Sequence, residues 1–204
     1  MTSEFQDPQY PRLFSKYKAQ FTDRAQPDDV LKPVIPDLLT LCSPIMIIGH
    51  PTIGLYIDGA CPGNGTPSAK GGIGVYFGQN SPYNISESLR GPNQTSQRAE
   101  LLAALAALRQ IVHVVMQKKG LELFIVVTDS AYLVDCLAKY VYKWRVNGWK
   151  TSKGNSVANR DLIEPLDKML DDMSNRDIDI DVLFWKVDRS ENVEADRLAN
   201  MAVQ

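Results

Sequence analysis

From residue 52 onward, the apolar positions of this chain switch between the two-residue period of strands and the 3.6-residue period of helices. Ile53–Ile57 is a short apolar run that predicts a first strand. Gly71–Phe77 predicts a second, with glycines that admit a close neighbour. Ile85–Leu89 predicts a third, polar at alternate positions. Turn-forming residues separate the three, which fits an antiparallel meander. From Gln97 to about Lys118 the period lengthens. Leu101, Leu102, Leu105, Leu108, Val112 and Val115 form a helical stripe, and the alanines between them allow close packing on a sheet. Gly120 is the predicted stop. Leu121–Val127 is almost wholly apolar, as a buried strand of a parallel sheet should be. Ser130–Ala138 predicts a short helix. Asp161–Met173 predicts another, starting near Asp161 or bending there, because proline is tolerated only near a first helical turn and Pro165 falls inside the pattern. Ile178–Val187 predicts a last strand and Val193–Val203 a last helix. The sum is an α/β domain, a five-stranded mixed sheet flanked by helices.

Residues 1–50 read differently. They hold six of the twelve prolines and no repeat or low-complexity tract. Within them, Leu13–Phe21 predicts a short helix, Pro36–Leu41 a further turn, and Ile45–Ile48 is apolar enough to pack on the domain. A length of 204 residues suits one domain with an extension. The expected division is therefore a Pro-rich, partly ordered extension over 1–50 and a folded α/β domain over 51–204.

The net charge of −2 and pI of about 5.7 exclude a generally basic nucleic-acid binder. The charge is segregated, however. Lys139, Lys143, Arg145, Lys150, Lys153 and Arg160 lie in one stretch without an acid, and the chain beyond it holds twelve acids against five bases. Cys42, Cys61 and Cys136 are scattered, with no C-x-x-C spacing, which argues against a zinc site or a disulfide framework. A reducing, intracellular compartment is the expectation. The N-terminus lacks the charged-then-apolar layout of a signal peptide. With no run of 18 apolar residues, no membrane partner is expected.

Four carboxylates carry the candidate chemistry. Asp58 and Asp129 each end an apolar strand pattern, in Leu55-Tyr56-Ile57-Asp58-Gly59 and Val127-Thr128-Asp129-Ser130. Glu100 and Asp196 each sit on a helical pattern, in Gln97-Arg98-Ala99-Glu100-Leu101 and Glu194-Ala195-Asp196-Arg197-Leu198. Gathered at one end of a sheet, four acids repel one another unless divalent cations neutralise them, and hard oxygen ligands suit Mg²⁺. Each acid also has a plainer reading. Ser96 to Glu100 is near a capping-box spacing, and Asp129 can cap the helix that follows it. Asp196 lies mid-helix, where Asp is intrinsically unfavourable, so its presence asks for a compensating role.

These four motifs, in this order and spacing, resemble type 1 ribonuclease H over about Thr52 to Ala202. The resemblance extends to Asn64 in Cys61-Pro62-Gly63-Asn64-Gly65, to Thr95-Ser96-Gln97-Arg98-Ala99-Glu100, and to the run Trp144 to Ser152. It implies strand order 3-2-1-4-5 and an endonuclease that cuts the RNA strand of RNA–DNA hybrids with two Mg²⁺ ions, Mn²⁺ being an alternative. Asp58 would bridge both ions, Asp196 would complete the water-activating site, and Glu100 and Asp129 would hold the other ion. Products would carry 5′-phosphate and 3′-hydroxyl ends. Substrate contacts implied are Asn64, Thr95, Ser96, Gln97, Tyr140, Lys143, Trp144, Arg145, Lys150, Ser152 and Asn159, and the protein would act as a monomer. For Trp144 and Trp149 the plainer reading is a local core.

Three departures stand out. Asn93 replaces a common Arg of the phosphate pocket, with Arg90 as a candidate substitute. Ser96 replaces an Asn. The stretch Lys186–Asp196 is short and lacks the histidine of the flexible loop found in many members, as in archaeal-type short-loop members. Arg189 and Glu191 are the nearest candidates for its role in product release. Rival readings are a fold-retaining nucleic-acid-binding module with weak catalysis, a retroelement-derived domain, and a DNA-directed nuclease on the same fold. All four acids are present, against the first, and the basic stretch argues against the last.

Overall fold

A computed structural model describes residues 52–117, 121, 123–175 and 180–204. The expectations for Leu13–Phe21, Pro36–Leu41, Ile45–Ile48 and Gly120, and the first residues of Ile178–Val187, lie outside the described residues.

Five strands form one sheet: β1 (Thr52–Ala60), β2 (Gly72–Tyr76), β3 (Ile85–Ser88), β4 (Leu123–Thr128) and β5 (Asp181–Lys186), in the order β3-β2-β1-β4-β5. The first three form the antiparallel meander, while β4 runs parallel to both β1 and β5. Composition follows position. β4 lies between two parallel neighbours and is buried at every residue of Leu-Phe-Ile-Val-Val-Thr. β3 is the edge strand and is mostly exposed, with the polar sequence Ile-Ser-Glu-Ser.

The helices are α1 (Ser96–Gln117), α2 (Ala131–Val134), α3 (Val141–Asn147), α4 (Arg160–Asn175) and α5 (Val193–Met201). The strand ladder fixes which face α1 and α5 occupy. Asp58 pairs with Gly74 and Gly59 with Ile73, so Gly59 and Gly74 point to opposite faces. A Cβ on Gly59 would overlap the backbone of Ala99 and Glu100 in α1, and one on Gly74 would overlap the Ala195 carbonyl in α5. The two helices thus press on opposite faces, each backbone seated where the strand has no side chain. By length and composition α1 is apolar enough to cross a membrane. Here it is a core helix, with Leu101, Ala104, Leu108 and Ile111 buried among Leu55, Ile57, Phe124 and Val126.

Several local expectations change. β1 runs two residues past Asp58, so that acid stands inside a ladder and not at a strand end. The helix expected to end at Ala138 continues: after α2 a π-helical turn spans Asp135–Tyr140 and leads directly into α3, which Gly148 ends in the left-handed conformation (φ 73°). The continuation pairs the exposed, basic outer side of α3 with apolar anchors, Val141 being fully buried. Helix α4 begins at Arg160 and contains Pro165 past its first turn.

Candidate active site

Each of the four acids is brought in by a different element, and local chemistry decides how. Thr95 caps α1: its Oγ1 accepts from Arg98 N at 3.2 Å. Glu100 therefore has no capping duty. Ser130 caps α2, its Oγ accepting from Leu133 N at 3.3 Å, so Asp129 is likewise released from the capping role. Asp58 is carried by β1 and is only 6% exposed. Asp196 lies in the first half of α5, where the N-terminal end of the helix favours negative charge.

The acids act on one another. Burial, then the charges of Asp129 and Asp196, push Asp58 up to about 7. Burial, then the charges of Asp58 and Asp129, push Glu100 up to about 9. Glu100 Oε2 is buried and has no hydrogen-bond partner. One cation already answers this crowding. The Arg189 guanidinium bonds Asp196 Oδ1 at 2.7 Å, and its charge lowers the pKa of both Asp58 and Glu100. Asn200 Nδ2 donates to the other Asp196 oxygen at 3.0 Å. Asn192 Nδ2 donates to Asp129 Oδ1 at 3.0 Å and to the Ile57 carbonyl at 2.9 Å.

These observations fit a divalent cation: an all-oxygen donor set, mutual repulsion and one orphaned carboxylate oxygen. Among the described residues, no group of three or more acid, His or Cys side chains is placed so that it could hold a metal ion as it stands. Asp58 and Glu100 feel the charges of the neighbouring acids. A pH dependence follows. A carboxyl with a raised folded pKa binds protons more tightly when folded, so it costs stability once pH exceeds its unfolded value. The cost starts near pH 4, grows through about 7 for Asp58 and about 9 for Glu100, and is complete above that. The metal-free melting temperature should fall between pH 4 and pH 9, and Mg²⁺ or Mn²⁺ should restore it at the alkaline end. A metal-free profile without this decline rejects the coupling.

The residues expected to contact substrate fall into two groups. In the first, Asn64 Oδ1 accepts from Ser96 N at 3.2 Å, tying the β1–β2 loop to the start of α1, where Gln97 is exposed. Thr95 and Asn159 meet around Arg98, whose Nη1 reaches Asn159 Oδ1 at 3.4 Å while its guanidinium grips Asp161 at 2.8 and 3.0 Å. Asn159 also donates to the Tyr132 hydroxyl at 3.0 Å. Asn93 and Arg90 are both exposed.

The second group lies on and after α3. The rings of Tyr140 and Trp144 are 5.7 Å apart, and those of Trp144 and Trp149 are 6.1 Å apart. Trp149 is buried, with the Arg160 guanidinium 5.3 Å over its ring, whereas Tyr140 is half-exposed. Trp149 thus serves the local core. Lys143, Lys150 and Ser152 are exposed, and Asn147 fixes the Lys150 backbone through bonds of 2.8 and 3.0 Å. Arg145 is placed otherwise. It bonds both oxygens of the nearly buried Asp167 at 2.6 Å and also Asp171 at 2.6 Å, bracing α3 against α4. In the short loop, Glu191 Oε2 accepts from Asp188 N at 3.3 Å in a capping box around the Arg189–Glu191 turn.

The RNase H family model matches residues 50–204. The chain belongs to the RNase H family. Ribonuclease H1 of Mus musculus is 36% identical over 145 residues, covering 71% of this chain and 48% of the mouse protein. The chain thus spans about half the length of such mammalian relatives. Ribonuclease H of Pelobacter propionicus is 34% identical over 149 residues, covering 73% of this chain and 83% of that protein. Among solved structures, LC11-RNase H1 in complex with an RNA/DNA hybrid aligns with a TM-score of 0.50 at 19% identity. It covers 74% of this chain and 95% of that one, and confirms the shared RNase H fold. The mixed sheet in order 3-2-1-4-5 is that fold.

Motif spacing pointed to the four acids. It did not point to Asn192 or Asn200. The one available signal was an Asn four residues before Asp196 and another four after it, each within one helical turn of the acid.

Proposed function

We propose that this RNase H-family domain is an endonuclease that hydrolyses the RNA strand of RNA–DNA hybrids, leaving 5′-phosphate and 3′-hydroxyl ends. The observation that carries the proposal is the convergence of four acids, the charges of Asp129 and Asp196 reaching Asp58 and those of Asp58 and Asp129 reaching Glu100, with Glu100 Oε2 left unpartnered. Relatives named ribonuclease H, 34–36% identical over most of the domain, support the same reaction class.

Two Mg²⁺ ions, or Mn²⁺, are proposed as the cofactor, held by Asp58, Glu100, Asp129 and Asp196. Bound there, such ions lower the pKa of a water and stabilise the leaving oxygen. The chain's own residues prepare the site. Asn192 holds Asp129, Arg189 and Asn200 hold Asp196, and the β1 ladder holds Asp58. Arg189 and Glu191 remain the proposed aids to product release, and the enzyme is proposed to act as an intracellular monomer away from membranes.

Asn64, Thr95, Ser96, Gln97 and Asn159 are proposed to receive one strand beside the acids. Tyr140, Lys143, Trp144, Lys150 and Ser152 are proposed to receive the other. Arg145 is assigned to the brace on α4, with substrate contact secondary. Replacing Lys143 and Lys150 with Ala should weaken hybrid binding and flatten its salt dependence, since each phosphate contact contributes about 0.9 to the log–log slope on duplex. Arg145→Ala should instead lower the melting temperature, because it removes the two-bond cationic partner of the nearly buried Asp167. Equal salt slopes for the double Lys variant and the unaltered protein would mean that α3 is a solvated face. The function itself is tested by cleavage of matched RNA–DNA, RNA–RNA and DNA–DNA duplexes with Mg²⁺. Cutting confined to the RNA strand of the hybrid is expected, and no hybrid cleavage rejects the proposal.

A further inference from the structure

We infer that Asn192 is a positioning residue for the carboxylate cluster, its side chain holding Asp129 against the backbone beside Asp58 and its backbone starting the helical turn that presents Asp196. The inference rests on the proposed metal-dependent function. Asn192 occupies the N-cap position of α5, where an Asn oxygen ordinarily accepts a backbone N–H of the first turn. It makes no such bond. The side chain turns away from its own helix and into the site, and the residue is only 1% exposed.

Both contacts of its Nδ2 are with acceptors, the Asp129 carboxylate and the Ile57 carbonyl. That chemistry fixes the amide orientation, since the flipped amide would set oxygen against oxygen. The Ile57 carbonyl immediately precedes Asp58 in β1. Asp129 follows β4. The backbone carbonyl of Asn192 accepts from Asp196 N at 3.1 Å, one turn along α5. One residue therefore ties together the backbone beside Asp58, the side chain of Asp129 and the helical turn that presents Asp196. Glu100 is placed separately, by the close approach of α1 to Gly59.

The arrangement has a cost that points to function. With Nδ2 committed to the site, Asn192 Oδ1 is buried without a hydrogen-bond partner. A residue serving only to start a helix would use that oxygen as the cap. Here the capping bond is forgone so that a donor can face Asp129, a local rule broken at a functional site.

Two substitutions separate positioning from mere folding. Asn192→Ser keeps a favoured N-cap residue and removes the reach to Asp129 and Ile57. Asn192→Asp keeps the shape and replaces the donor with a second carboxylate oxygen beside Asp129. Mn²⁺ binding is measured by calorimetry below the melting temperature of each variant, and hybrid hydrolysis is measured with kcat and KM resolved. Both variants are expected to bind Mn²⁺ about 10- to 100-fold more weakly and to lose kcat by a similar factor, as second-sphere changes do. The hybrid KM should not change. An Asn192→Ser variant that matches the unaltered protein in Mn²⁺ affinity and kcat overturns the inference and leaves the proposed function standing. An unaltered protein that neither binds Mn²⁺ nor cuts hybrid overturns both.

Discussion

Asp58→Asn is expected to abolish hybrid cleavage while making the metal-free protein more stable at alkaline pH. Asp58 is the acid on which burial and the neighbouring charges converge: burial, then the charges of Asp129 and Asp196, hold it near 7, and its own charge is the main coulombic cause of the rise at Glu100. The amide has nearly the same shape, so the β1 ladder and its pairing with Gly74 should persist. It removes one buried charge and lets Glu100 ionise closer to its usual range. A shift of about three pH units corresponds to roughly 4 kcal/mol as an upper bound, and part of that should appear as a rise of at least roughly 2 °C in melting temperature at pH 8. The same change removes one of the four carboxylates that would hold the cations, so hydrolysis should fall to background and added Mg²⁺ should no longer raise the melting temperature. Melting curves and cleavage of an end-labelled hybrid test both halves. Near-normal cleavage by the variant would sink the proposed metal site.

Gly74→Val is expected to cost both stability and activity, for a reason remote from the acids' chemistry. A Cβ at this position lands on the Ala195 carbonyl and close to Ala199 N, both backbone atoms of α5. Backbone cannot rotate aside as a side chain can, so the helix must move. Overpacking of this kind costs about 1–3 kcal/mol, and sometimes more, which for a domain of this size is a drop of roughly 2–12 °C in melting temperature. Asn192 and Asp196 travel with α5, so the surviving folded protein should cut poorly even with saturating Mg²⁺. Gly65→Ala is the comparison, because nothing lies within 4 Å of its added Cβ and only its positive φ of 83° is strained. It should lose some stability and keep its activity. A Gly74→Val variant with normal kcat would show that α5 can shift without disturbing Asp196.

The strands and long helices were legible from the sequence because each follows from local pattern: β4 is apolar nearly throughout, β3 is a short polar run between turn residues, and α1 carries its stripe. The four acids were legible because each sits in a short motif whose neighbours match a family pattern in identity and spacing. The meander of β1 to β3 also followed, since turn residues separate its short runs. Sequence could not decide which partner each polar group takes. Arg145 is one of six bases in an acid-free stretch and reads as a phosphate contact, yet packing of α3 on α4 brings it to Asp167, 22 residues away. Asn192 drew no role from the sequence and occupies the N-cap position of α5, yet its amide is spent on Ile57 and Asp129, 135 and 63 residues away. The two capping ambiguities at Glu100 and Asp129 were settled by Thr95 and Ser130, whose side chains accept from Arg98 N and Leu133 N and so take the capping positions themselves. A buried donor or acceptor takes whatever the fold brings within about 3 Å, and that neighbour is chosen by the docking of whole elements. Periodicity and motif spacing therefore determined the elements and the acids of this chain, while the tertiary structure alone decided which groups hold those acids in place.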